Sequence, residues 1–140
     1  QNETHTLDVL REIAVYLKKA IRLALDAGIS KQHLVIDPGF GFGKSIEQNL
    51  EILSGLDFFA KLNCPVLVGL SRKSFIGQVI GAGTSGRLYG SLGAAAAAIQ
   101  KGAHILRVHD VLPHKQVASM IDRVMQLSDL TKKGKGDDAH

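Results

Sequence analysis

Three short apolar runs, residues 34–37 (LVID), 65–70 (PVLVGL) and 104–108 (HILRV), alternate with longer stretches of helical periodicity. Runs this short and this uniformly apolar read as strands buried on both faces. Such strands pair in parallel, and a parallel pair needs a long crossover, usually a helix. The predicted order is therefore α/β: one helix, then three parallel βα units. Each run ends in polar residues: Asp37, then Ser71, Arg72 and Lys73, then Arg107 and His109. Parallel α/β folds bind ligands at the carboxyl ends of their strands. Three strand ends thus aim chemistry at one face. Three units cannot close a barrel, which takes eight strands, and an open sheet would leave its edges exposed.

The helical stretches carry their own punctuation. Leu10, Ile13, Ala14, Leu17, Ile21, Ala24 and Leu25 mark one face of a helix over 7–27, with Thr6 as its cap and Gly28 at its left-handed end. Ser45 and Gln48 form a capping box for a helix that buries Ile46, Leu50 and Leu53, and Gly55 breaks it before a second piece over 56–62. Residues 75–80 read as a short helix and 81–86 as a flexible loop. A small-residue helix covers 87–101 and ends at Gly102. Its Gly90, Gly93 and the alanines at 94–98 allow close packing or a subunit interface. A last helix from about Pro113 to Leu130 places Val117, Ile121, Val124, Met125 and Leu127 inward.

Composition narrows the class. With 140 residues, 45% of them apolar and 21% charged, the chain suits one soluble domain, assigned to 1–130. No apolar run can span a bilayer, and the N-terminus lacks a secretory pattern, so no membrane is expected. The net charge of +4, with 5% aromatic residues and no Trp, lacks the basic stripe and aromatic platforms of a nucleic-acid binder. It fits an anionic small molecule. The lone Cys64 points to a reducing, cytoplasmic setting. The start at Gln1, close to a helical pattern, reads as a fragment, a processed product or a cloning artefact. The tail 131–140, with Lys132, Lys133, Lys135, Asp137 and Asp138, is expected to be disordered.

The stretch 37–44 (DPGFGFGK) is the most informative. A phosphate-binding Walker loop would need Gly where Pro38 stands. A dinucleotide fingerprint would need Gly at Lys44 or Ile46. What remains is a glycine-rich turn or a lid, and Phe40 and Phe42 favour the lid, because exposed rings must cover something. Asp37 has two readings: it caps the turn at Pro38 and Gly39, or it accepts paired N–H donors from a flat heterocycle. Ser71, Arg72, Lys73 and Ser74 stand where a strand meets a helix N-terminus, which makes an anion site. Arg107 and His109 share one side of their strand and Asp110 takes the other. Arg forks onto phosphate oxygens, and His adds a hydrogen bond or a proton. A His109–Asp110 metal pair lacks further ligands at metal-site spacing. His5, His33, His104, His114 and His140 read as surface or loop residues.

These motifs in this order resemble the dihydropteroate synthase family. The matching segments are 37–44, 68–77 (VGLSRKSFIG), 90–92 (GSL) and 102–111 (GAHILRVHDV). The resemblance implies a TIM (β/α)8 barrel of which this chain is the C-terminal part: the helix after strand five, then strands six to eight. It implies a folate-pathway transferase that joins a pterin methyl diphosphate to p-aminobenzoate with loss of diphosphate. Asp37 would bind the amino-pyrimidine edge, and Lys73 would lie beside the pterin carbonyl. Arg107 and His109 would hold the diphosphate. Ser74 would bind the p-aminobenzoate carboxylate, Phe42 would cover that ring, and Gly69 and Arg72 would line the pocket. Sulfonamides would compete at Phe42, Lys73 and Ser74. Mg2+ would bind the diphosphate through ligands outside this chain, so the isolated chain is expected to be inactive. A homodimer through the C-terminal helices is also implied. Two other readings stand beside this one: a non-catalytic binding or dimerisation module, and a phosphate-binding domain of a different α/β enzyme.

Overall fold

The computed structural model describes residues 2–134, with side chains over 8–130. Helix α1 (Asn2–Asp26) starts before the expected Thr6, which lies within it. It ends as expected, with Gly28 at φ +89°. The amides of Gly28 and Ile29 donate back to Leu25 and Ala24, closing the helix end. Helix α2 (Ile46–Ser54) carries the capping box: the Gln48 amide donates to Ser45 Oγ, and the Ser45 amide donates to the Gln48 side chain. Gly55 ends α2, and a 3-10 helix follows over Leu56–Leu62. A Cβ on Gly55 would lie 2.5 Å from Leu10 Cδ1, so glycine lets α1 lie close against this corner.

Strand β1 (Leu67–Val68) pairs in parallel with β2 (Ile105–Leu106), Leu67 beside Ile105 and Val68 beside Leu106. The first expected strand is reduced to one parallel bridge between Ile36 and Val66. The regular strands are thus shorter than the apolar runs. Pro65 has no N–H to extend the ladder, and Pro38 stops the first run one residue after Asp37. The chain also turns soon after β1, where the Lys73 amide donates to the Leu70 carbonyl.

Helix α3 (Ser74–Ile80) leads through a 3-10 turn at Thr84–Gly86 into α4 (Leu88–Gln100). Gly90 serves close packing, since a Cβ there would meet Ile76 of α3 at 2.5 Å. Helix α5 (Val111–Gly134) begins two residues before Pro113 and runs through 131–134, where a disordered tail was expected. The rest of that tail, 135–140, lies outside the described residues. Helix α5 packs on α4, and α1 packs on α2.

The helices cover one face of the sheet. Ile36, Val66 and Val68 are buried beneath them with Ile52, Leu56 and Phe59. The other face is open in this chain: Val35 is 48% exposed and Ile105 39%, against the expectation of burial on both faces. Leu50, expected inside α2, is also exposed, and Asn49 takes the inward position. On α5, Val124 and Leu127 are exposed although the pattern placed them inward.

Candidate functional site

Strand parity puts Asp37, Gly69, Arg107 and His109 on the open face, at the carboxyl ends of the parallel segments. Arg107 leans across Gly69 toward Asp37, and its Nη2 stands 3.7 Å from Asp37 Oδ2. A Cβ on Gly69 would lie 2.5 Å from that nitrogen, so a side chain there would push the guanidinium off this path. Asp37 Oδ1 accepts the Gly39 amide at 2.9 Å, which bears out the turn-capping reading. The carboxylate still has unused lone pairs, since it has about four acceptor positions. A cavity of about 460 Å3 opens between α1 and the turn, lined by Glu12, Tyr16, Asp37, Phe42 and Lys44 among others. It touches neither Lys73, Arg107 nor His109, so it is not by itself the place where the cations converge.

The two phenylalanines of the loop part company. Phe40 is a core residue, 1% exposed and stacked on Phe75 with ring centroids 6.4 Å apart. Only Phe42 has the exposure of a covering ring, at 74%. Lys73 Nζ lies 4.5 Å from the Phe42 ring centroid, within cation–π range. Gly39, Gly41 and Gly43 all take positive φ, which the alternating glycines permit.

The cations of 71–74 do not act as one anion cluster. Arg72 sits in the left-handed region at φ 58° and turns its guanidinium onto Asp110, at 2.7 and 3.1 Å. The hydrogen bond and charge of Arg72 hold the Asp110 carboxyl below its ordinary pKa, and Asp110 raises that of Arg72. The Arg72 amide donates to Ser91 Oγ, and its carbonyl accepts from Arg87 Nη1. Arg72 therefore offers a ligand its stem and backbone rather than a free charge. Lys73 is the N-cap residue of α3, and Ser74 is that helix's first residue and exposed.

Ser71, 5% exposed, orients His109: its Oγ accepts the His109 amide at 3.2 Å and lies 3.0 Å from His109 Nδ1. With the oxygen accepting the amide, the hydroxyl proton is available to Nδ1. If the hydroxyl donates to Nδ1, Nε2 carries the ring proton and is a donor suited to an anionic oxygen. Of the histidines read as surface or loop residues, His104 is exposed and also accepts a backbone hydrogen bond, whereas His114 is a buried helix residue. The Val66 amide donates to His104 Nδ1 at 3.1 Å, and His114 is buried with Nδ1 2.7 Å from the Asp110 carbonyl. The His5 side chain and His140 fall outside the described side chains.

Asn49 was missed from sequence, and so was the orienting role of Ser71. Asn49 had a signal: an amide on the inward face of an apolar helix. Among the described residues no group of three His, Cys, Asp or Glu could hold a metal ion. The two carboxylates at the strand ends are already engaged, Asp37 by the Gly39 amide and Asp110 by Arg72.

This architecture defines an α/β protein whose polar side chains gather at the carboxyl ends of parallel strands. The chain belongs to the pterin binding enzyme family, whose model matches residues 1–109. Within it, the chain corresponds to the C-terminal part of dihydropteroate synthases. It is 50% identical over 104 residues to the dihydropteroate synthase of Escherichia coli K12, covering 74% of this chain and 37% of that protein. The Xanthomonas albilineans dihydropteroate synthase in complex with 7,8-dihydropteroate superposes with a TM-score of 0.82 at 43% identity, over 84% of this chain and 45% of that one. The Yersinia pestis enzyme in a sulfonamide drug complex gives 0.83 at 34% identity, over 85% and 43%. The chain thus spans less than half the length of these relatives.

Proposed function

We propose that this chain carries the strand-six to strand-eight side of a dihydropteroate synthase site within a TIM barrel. The observation that carries this reading is Arg107 reaching over Gly69 to Asp37, with Lys73 beside Phe42 at the neighbouring strand end. Asp37 accepts hydrogen bonds from the amino-pyrimidine edge of the pterin, and Lys73 stands by its carbonyl. Arg107 and the Nε2–H of His109 hold the diphosphate. Ser74 takes the p-aminobenzoate carboxylate, and Phe42 covers that ring.

In the reaction, the p-aminobenzoate nitrogen forms a bond to the pterin methylene carbon as the carbon–oxygen bond to diphosphate breaks. The amine gives up one proton, which passes to solvent water. The developing charge lies on the leaving oxygens, so fixed cations matter more than a general base. Mg2+ held by residues outside this chain would neutralise the far side of the diphosphate. Met120 and Val124, exposed one turn apart on α5, support a homodimer through the C-terminal helices. Among the described residues no helix is long and apolar enough to cross a membrane. Cys64, buried and unpaired, supports a cytoplasmic setting.

Calorimetry of the chain with a pterin tests the reading. Weak pterin binding, lost in Asp37→Ala, supports a half-site. No binding leaves a structural piece, and binding of sugar phosphates without pterins would favour another α/β enzyme.

A further inference from the structure

Asn49 is 1% exposed, on the inward face of α2 beside Ile52 and Leu53. A buried amide is costly unless its hydrogen bonds are made. Here they are made to one loop and its junction with the helix. The Gly41 amide donates to Asn49 Oδ1 at 2.8 Å, and Asn49 Nδ2 donates to the carbonyls of Ser45 at 2.7 Å and Lys44 at 3.4 Å. The loop needs such an anchor. Glycines at 39, 41 and 43 permit its positive φ angles but do not select one conformation, because glycine is free to adopt many. Lys44 adds a clasp, donating from Nζ to the Gly39 carbonyl at 2.6 Å, but that side chain is only part-buried.

What the anchor fixes is next to the site. A Cβ on Gly41 would lie 3.4 Å from Lys73 Nζ, and the following residue, Phe42, stands under the same amine at 4.5 Å. We propose that Asn49 is a positioning residue: by holding the Gly41 amide it sets the distance between Phe42 and Lys73, and with it the subsite for the aromatic amine substrate. The subsite's identity rests on the function proposed above; the anchor does not. All three partners of the Asn49 amide, Gly41, Lys44 and Ser45, precede the first residue of α2, so the amide serves the loop and its junction rather than the helix interior.

Asn49→Leu and Asn49→Asp separate the possibilities, with Ile52→Val as a core control. In the chain itself, Asn49→Leu should speed amide exchange at Gly41 and Lys44 about tenfold, the worth of one lost hydrogen bond. Exchange at Ile52 and Leu53 should change by less than about twofold on the same scale. Asn49→Asp keeps the acceptor for Gly41 and should fall between. In a full-length dihydropteroate synthase carrying this segment, Asn49→Leu should raise KM for p-aminobenzoate about tenfold, leaving KM for the pterin diphosphate within about twofold. Ile52→Val should lower the melting temperature and leave both KM values in place. Unchanged loop exchange in Asn49→Leu, or both KM values rising together, would overturn the proposal. If the unsubstituted synthase shows no p-aminobenzoate turnover, the functional reading fails, and the anchor is then judged on the exchange data alone.

Discussion

Arg107 stands 3.7 Å from Asp37, whereas Arg72 forks onto Asp110 at 2.7 and 3.1 Å. The longer, looser pair leaves Arg107 able to turn to a ligand. The fork commits Arg72, and the two should respond differently to substitution. In a full-length synthase carrying this segment, Arg107→Ala should cost about 2.7–4 kcal/mol in barrier, as for other donors to a developing anion. Its stability cost should stay within about 1 kcal/mol, as for an exposed ion pair. Turnover and urea unfolding measured on the same preparation decide it, and normal turnover would remove Arg107 from the site. The Arg72–Asp110 pair should instead appear in the pH dependence of stability. Arg72 lowers the Asp110 carboxyl, so the pair's contribution is complete above the unfolded Asp value of about 3.9. It is lost as pH falls through the lower, folded value. The stability gap between the unsubstituted chain and Asp110→Asn should thus be constant near neutrality and vanish in acid. A gap that persists to the lowest pH at which the chain stays folded would contradict this.

Among the elements, what could be read from sequence is what local chemistry decides. The capping box of Ser45 and Gln48 and the left-handed Gly28 depend on residues within one turn, and both stand as expected. Ser45→Ala should cost about 0.5–2 kcal/mol of unfolding free energy, measured by denaturant titration, because it strands the Gln48 amide. A cost near zero would mean that this helix end is held by packing alone. What could not be read depends on partners distant in sequence. Nothing near Phe40 and Phe42 says that the first meets Phe75 in the core while the second faces outward. Nothing near Arg72 says that Asp110 waits 38 residues on. The apolar runs announced strands, but ladder length depends on neighbours, and among the described residues the first run is bridged on one side only. Motif order carried the strand-end site through to the structure because parallel topology collects strand ends whatever the ladder length.

At the scale of the whole molecule, the decisive feature is the sheet face that the helices leave open. Val35 and Ile105 are exposed there, on the same side as Asp37 and Arg107. Apolar strand surface facing water favours association or a covering partner. The same face bears the proposed substrate contacts, so a ligand bound to this chain alone is held from one side. A diphosphate met only by Arg107 and His109 has its developing charge stabilised on one side, and is a poor leaving group. The 140-residue chain by itself should therefore make no dihydropteroate, while the same chain mixed with the N-terminal half of the Escherichia coli enzyme should recover some activity. Incorporation of radiolabelled p-aminobenzoate measures both. Size-exclusion chromatography of the lone chain should show self-association that falls when Val35 and Ile105 are both changed to Thr. Robust product from the unmixed chain would mean that one side of the diphosphate is enough, and the division of labour argued here would be wrong.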